Sequence, residues 1–124
     1  MPIRGDTRAE KEILLTIIEG EMDDEQLIAY YQHFFDEKLY TRFKRELIDG
    51  RSCTKMSVTA KGQKRLGALL SQYRVDLTDY RAAMVATTDV VYGMFRMWEM
   101  GRGSLGYELK VFREEAEARS WLAA

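Results

Sequence analysis

The sequence predicts a single α/β domain, and three observations carry that expectation. Short apolar runs suited to strands alternate with longer segments whose apolar residues recur every three or four positions. The only proline is Pro2, and no stretch is rich in Pro, Gly and Ser except 101–106, so nothing divides the 124 residues into two units. With 46% apolar residues, the chain is long enough for one sizeable core and too short for two.

Ile13 to Ile18 reads ILLTII, apolar on both alternating faces, the pattern of a central strand covered on both sides. After Gly20, Asp23 and Gln26 have capping-box spacing, so a helix starts at Asp24. Leu27, Ile28, Tyr31, Phe34, Phe35 and Leu39 give it a buried stripe to about Lys38, widened by Tyr30. In Phe43 to Gly50, Phe43, Arg45, Leu47 and Asp49 alternate with Lys44, Glu46 and Ile48, which suits a strand nearer an edge. Ser57 or Thr59 caps the next helix, which Leu66, Leu69, Leu70 and Tyr73 carry to Arg74 and which Gly62 and Gly67 weaken.

Tyr80 to Ala86, YRAAMVA, is a run of small apolar residues that fits a buried strand closely overlain by helices. Thr87 or Thr88 then caps a helix from Asp89 to Met100. Tyr107 to Arg113 makes a strand with Tyr107, Leu109 and Val111 on one face, and Glu114 to Ala123 a final helix ending on Trp121 and Leu122. Parallel neighbours need long connections, so four such units predict a mostly parallel four-stranded sheet flanked by four helices.

Composition narrows the function. Nineteen Lys and Arg against twenty Asp and Glu leave a net charge of −1, which disfavours nucleic acid and polyanion binding. The most apolar window, Ala82 to Met100, holds Asp89, Arg96 and Glu99, too much charge for membrane insertion. The polar N-terminal segment Met1 to Glu12 has no apolar run of the signal-peptide kind, so the expected location is cytoplasmic. One cysteine and one histidine allow neither a disulfide nor a four-ligand zinc site, and no cofactor is expected.

The order of elements, the strand ending LID at Leu47 to Asp49, and the stretches MVATTDVVYGMFRMWEM and YELKVFREEAEARSWL resemble a STAS-type domain, more narrowly the anti-sigma-factor-antagonist-like (SpoIIAA-like) bacterial proteins. The resemblance spans roughly residues 10 to 123 and rests on element order and apolar pattern more than on single residues. It implies a sheet flanked by helices with an extra antiparallel N-terminal strand, here reduced to Met1 to Arg4. It also implies protein partner switching or small apolar ligand binding rather than catalysis. The antagonists carry a phosphorylatable serine after an aspartate at the start of the helix following the LID-type strand. Those positions fall on Val58 and Ser57, so the motif is not preserved. Phosphate on Ser57 or Thr59 would still sit at a helix N-terminus, where free N–H groups favour negative charge, and both hydroxyls serve equally as ordinary caps.

Other motifs give weaker signals. Gly101, Gly103 and Gly106 spell GxGxxG, but a helix precedes them and a strand follows, which is the wrong pole for a pyrophosphate and fits a glycine C-cap. Asp23, Asp24, Asp49 and Asp89 gather at the strand ends in the manner of a phosphoacceptor receiver, yet no acidic pair closes the first strand and Arg113 and Glu114 follow the last. Cys53 lies among Arg51 and Lys55, but a catalytic thiol needs a positioned base, and His33 reads as a surface residue.

Two features stand out. Residues 38 to 65 hold nine basic side chains against Glu46 and Asp49, a segment that either meets an acidic protein partner or anionic headgroup or guards an exposed strand. From Asp89 to Met100 only Gly93, Arg96 and Glu99 interrupt an otherwise apolar helix, which either buries a second face against another subunit or ligand or simply packs the core. The expectation is therefore a non-enzymatic STAS-like module with strand order 2-1-3-4, acting through protein–protein contact as a homodimer or partner switch. Its interface or pocket residues are Tyr31, Phe35, Tyr92, Gly93, Phe95, Arg96 and Trp98. The alternatives are a carrier of a small apolar or lipid-like ligand held by the aromatic members of that set, and a phosphorylation switch at Ser57 or Thr59.

Overall fold

A computed structural model describes residues 2–101 and 107–124, and its first feature is a five-stranded mixed sheet. In chain order the elements are β1 (Ile3–Asp6), β2 (Ile13–Asp23), α1 (Asp24–Asp36), α2 (Leu39–Arg42), β3 (Arg45–Ser57), α3 (Ala60–Tyr73), β4 (Arg81–Val85), α4 (Asp89–Gly101), β5 (Glu108–Phe112) and α5 (Glu115–Ala123). The strands lie in the order β1-β2-β3-β4-β5, β1 antiparallel and the rest parallel. Each parallel strand adds on the same side, so right-handed crossovers place α1, α3 and α4 on one face. α5 covers the other face, over Leu47, Ala83, Val85 and Phe112.

The four predicted strands thus follow chain order rather than 2-1-3-4, and the segment expected near an edge, now β3, is interior. Its polar alternation misleads because the polar groups are satisfied internally. Glu46 is buried, and Arg45 Nε donates to Leu122 O at 2.8 Å beneath α5. The outer edge of β2 goes instead to β1, displaced from the expected Met1 to Arg4 with Ile3 facing Ile18; Met1 lies outside the described residues. A fifth helix, the one-turn α2, was too short for any periodic signal; Lys38 precedes it at φ 52°.

β2 and β3 run on beyond the ends of β4, paired from Glu19–Ser52 to Asp23–Ser57, with one register shift just before Glu19 and another between Gly20 and Glu21. Caps match the sequence closely. Asp23 and Gln26 form the capping box of α1, and Thr59, not Ser57, caps α3 by accepting from Gly62 N at 3.1 Å. Thr88 Oγ1 accepts from Val91 N at 3.3 Å at the start of α4. α5 is held at both ends by arginines. Arg119 pairs with Glu10 and Glu115, Arg51 bridges Glu115 and Asp49, and Arg81 Nη1 donates to Trp121 O and Ala124 O at 3.0 and 2.9 Å.

Under α1 the core is polar at one point. Glu46 on β3, 2% exposed, accepts from Thr16 of β2 at 2.5 Å, from Tyr31 of α1 at 2.9 Å and from Tyr80 at the start of β4 at 2.6 Å. Thr16 also bonds Tyr30 at 2.8 Å, whose hydroxyl lies against Gly5 of β1. Burial pushes the Tyr30, Tyr31 and Tyr80 hydroxyls well above their ordinary range, so they stay protonated donors. The three donors favour an ionised Glu46, but burial outweighs them and raises its pKa above the usual carboxylate value.

A raised folded-state pKa stabilises the protein fully below the unfolded value of 4.5, and that contribution is lost as pH rises through the folded value. Denaturant titrations between pH 4 and 8 should therefore show Glu46→Gln gaining on the wild type as pH increases. A constant difference between the two proteins across that window would show that Glu46 keeps its ordinary acidity.

Candidate functional site

The apolar helix α4 presents two stripes, and the structure decides which one the sheet takes. Val91, Phe95 and Trp98 are 2%, 0% and 5% exposed and pack on the β3 side of the sheet. The ring of Phe95 lies where a Cβ on Gly50 would stand, so that glycine lets the helix settle onto β3. On the opposite side, Val90, Met97 and Met100 are 68%, 74% and 75% exposed. At 3.6 residues per turn they share one face with Gly93 and Met94, an outward apolar stripe about three turns long.

Polar contacts fix the rim of that stripe. Arg96 pairs with Glu99 at 2.5 Å, and Arg113 at the end of β5 pairs with Asp89 at 2.6 Å while its guanidinium lies 4.2 Å over the Tyr92 ring. Gly93 has open space where a Cβ would stand, so no contact among the described residues requires a glycine there. Val90 also walls a shallow depression of about 460 Å³ with Thr88 and residues 51–54 of β3.

The candidate interface residues are therefore mostly not surface residues. Phe95 and Trp98 belong to the core, and Tyr31 and Phe35 lie in an aromatic cluster with Phe34 and Tyr80. Tyr92 is half-buried under Arg113, and only Gly93 and Arg96 flank the outward stripe. The cavities among the described residues do not bring the five aromatic residues together. The space beside Tyr31, Phe35 and Glu46 is about 10 Å³, room for a single water rather than an apolar ligand. Val90, Met97 and Met100 form the exposed stripe that periodicity left indistinguishable from the core stripe.

The basic segment 38–65 is not a free edge. Arg45, Arg51, Lys55 and Arg65 already hold Asp79, Asp49 with Glu115, Glu21 and Glu25. The carboxylates at the strand ends are likewise engaged: Asp23 caps α1, Asp24 binds Thr59, Asp49 chelates Arg51 and Asp89 holds Arg113. The Arg51 guanidinium keeps the Asp49 carboxyl below its usual range. Burial pushes the Cys53 thiol up, away from thiolate chemistry, and His33 is exposed on α1. Gly103 and Gly106 of the GxGxxG spacing lie outside the described residues.

Ser57 and Thr59 both face carboxylates. Ser57 Oγ donates to Glu21 at 3.1 Å, and Thr59 Oγ1 donates to Asp24 at 2.5 Å while its N–H reaches the same carboxyl at 2.8 Å. Asp24 sits so close that a Cβ on Gly62 would strike it, which explains a glycine in the first turn of α3. A phosphate on either hydroxyl would meet a negative charge and break a tie between β2–α1 and β3–α3.

Comparison with solved structures places the fold. The chain superposes on a protein of the DUF3478 family with a SpoIIAA-like fold from Shewanella loihica PV-4 at TM-score 0.57 and 18% identity, covering 97% of this chain and 91% of the other. It superposes on the unphosphorylated anti-sigma factor antagonist SpoIIAA at TM-score 0.52 and 14% identity, covering 98% of each chain. For the phosphorylated Bacillus cell fate determinant SpoIIAA the values are 0.50 and 14%, over 95% and 98%. The fold is SpoIIAA-like. No protein-family model and no curated protein matches the sequence. No helix among the described residues is long and apolar enough to cross a membrane.

Removing the α3 cap with Thr59→Ala should lower stability by about 1 kcal/mol. Thr59→Glu should lower it further, most of all at low salt, because a second carboxylate then faces Asp24. Thermal unfolding of both variants at two ionic strengths checks this, and equal stability of the Glu and Ala variants would contradict the repulsion.

Proposed function

We propose that this protein is a non-enzymatic regulatory module that works through protein–protein contact and forms a homodimer through the outward stripe of α4. The observation that carries this reading is that Val90, Met97 and Met100, the large hydrophobic side chains exposed among the described residues, all stand on one face of one helix. Scattered exposed hydrophobics are ordinary, whereas a continuous stripe marks a contact surface. Methionine suits it because the unbranched thioether adapts to an irregular partner.

Gly93 supports the same reading. A glycine inside a helix costs about 1 kcal/mol relative to alanine, and no neighbour among the described residues lies within 4 Å to explain it. An approaching backbone outside the chain does. Val90, Gly93, Met97 and Met100 follow the alternating three- and four-residue spacing of a helix–helix seam, and an antiparallel pair about a two-fold axis would set Met97 of each copy over Gly93 of the other. The likeness to an anti-sigma factor antagonist, a protein named for opposing another protein, fits a role in contact rather than chemistry. The placement of Cys53 in the core and of His33 on the surface fits it too.

Light scattering after size exclusion at micromolar concentration should give the mass of two 14.4 kDa chains for the wild type and of one for Met97→Asp with Met100→Asp. Gly93→Ala should raise the unfolding temperature of the monomeric double variant, since helix propensity improves by about 0.5–1 kcal/mol, yet weaken association in the wild-type background. A monomeric wild type would remove the homodimer, and a Gly93→Ala protein that associates as well as the wild type would remove the close approach at Gly93.

A further inference from the structure

Beside the stripe, α4 walls a second feature, a groove of about 320 Å³ closed by the end of β3 and the first turn of α3. Among the described residues it is lined by Met56, Val58, Ala60, Gln63, Met94, Met97 and Trp98, none of them charged. Two N–H donors of the lining residues lack a good acceptor. Trp98 is 5% exposed, and its buried Nε1–H has no partner among the described residues. The Met56 N–H, on the edge of β3 beyond the reach of β4, reaches only the Met94 thioether sulfur at 3.5 Å, a weak acceptor. Gln63 is already committed, its Nε2 donating to Trp98 O at 2.6 Å.

A buried donor left unmade is costly, and it is met when something brings an oxygen to it. The chemistry of that oxygen follows from the surroundings. A charged group would be desolvated against that lining, and the carboxylate of Asp24 of α1, bonded to Thr59 at the start of α3, would repel an anion. The acceptor is therefore a neutral carbonyl, and the methionine walls call for an aliphatic group beside it. Carbonyls inside a helix are already bonded, whereas an extended segment offers its main-chain carbonyls to a neighbour.

We infer that this groove receives an extended segment of a partner polypeptide, a leucine-like side chain entering between Met94, Met97 and Val58 while its main-chain carbonyl accepts from Trp98 Nε1–H as a methionine side chain yields. The inference rests on the protein-contact reading for the nature of the occupant, and it is independent of self-association.

The test uses the full chain labelled with ¹⁵N, whose indole N–H signals from Trp98 and Trp121 are told apart with Trp121→Phe. The probe is N-acetyl-leucine methylamide. It should move the Trp98 indole proton downfield, saturably, and leave Trp121 in place. N-acetyl-glycine methylamide, with the same carbonyls and no side chain, should bind at least about tenfold more weakly, as loss of a buried leucine side chain implies. Val58→Asp, or Ala60→Phe should the first variant fold poorly, should abolish the shift. An unmoved Trp98, an equal response to the glycine probe, or a response that survives both groove variants would overturn the inference. Tighter binding of methyl octanoate than of the leucine probe would assign the groove to a small acyl ligand and overturn the peptide occupant. A dimer with an inert Trp98 ends the groove alone, whereas a monomer with a responsive Trp98 ends the homodimer alone.

Discussion

A carboxyl group buried without a cation sets the terms for the rest of this fold. Glu46 stands on an interior strand, and its oxygens are met only if Thr16 of β2, Tyr31 of α1 and Tyr80 at the start of β4 arrive together. A one-residue slip of either neighbouring strand would turn its donor to the opposite face and leave the carboxyl unpaired, which costs far more than a misplaced aliphatic contact. The cluster therefore specifies register where apolar packing alone is permissive. Tyr30 extends it to β1, since its hydroxyl bonds Thr16 and lies against Gly5.

With the strands fixed by that hub, the two faces of the sheet are closed by different means. The helical face is closed by hydrophobic area, from Leu27, Phe34 and Leu66 to Phe95 and Trp98. The opposite face has one nine-residue helix, too short to be held by its own propensity, and arginines anchor it. Arg45 and Arg81 donate to carbonyls of its last turn, where the helix dipole favours positive charge, while Arg51 and Arg119 hold Glu115 in its first turn. The excess of basic residues in 38–65 is thus partly an internal fastening, since Arg45 and Arg51 are spent on α5.

Much of this was legible in the sequence, and the failures share a physical cause. Helix starts are legible because capping is local chemistry between residues three apart: Asp23 caps α1 as expected, and of the pairs Ser57/Thr59 and Thr87/Thr88 the structure uses Thr59 and Thr88. The run of small residues in β4 correctly indicated a strand pressed between layers, as Ala82 and Ala83 are 1% and 0% exposed. Strand order was misread because Glu46 looks like a solvent residue until its three partners, 15 to 34 positions away, are brought to it. On α4 the periodicity showed apolar residues nearly all round, and local pattern cannot say which of two apolar stripes meets the sheet. That choice is made by shape, since Gly50 of β3 accommodates the ring of Phe95 and so turns Val90, Met97 and Met100 outward.

Two glycines mark the difference between a fold constraint and a contact constraint. Gly62 is required from within, because the Asp24 carboxyl occupies the space its Cβ would take while binding Thr59. Gly93 faces open space, so the fold gains nothing from it and gives up helix stability to keep it. Side chains that a monomer would improve by changing are informative about what lies outside the monomer, as stability is surrendered most readily where a surface must meet something else. On α4 three such features coincide within eleven residues: the outward Val90, Met97 and Met100, the helical Gly93, and the Trp98 N–H left without an acceptor. Each is unfavourable for an isolated chain: a second copy along the outward stripe would relieve the first two, and an extended segment in the neighbouring groove the third.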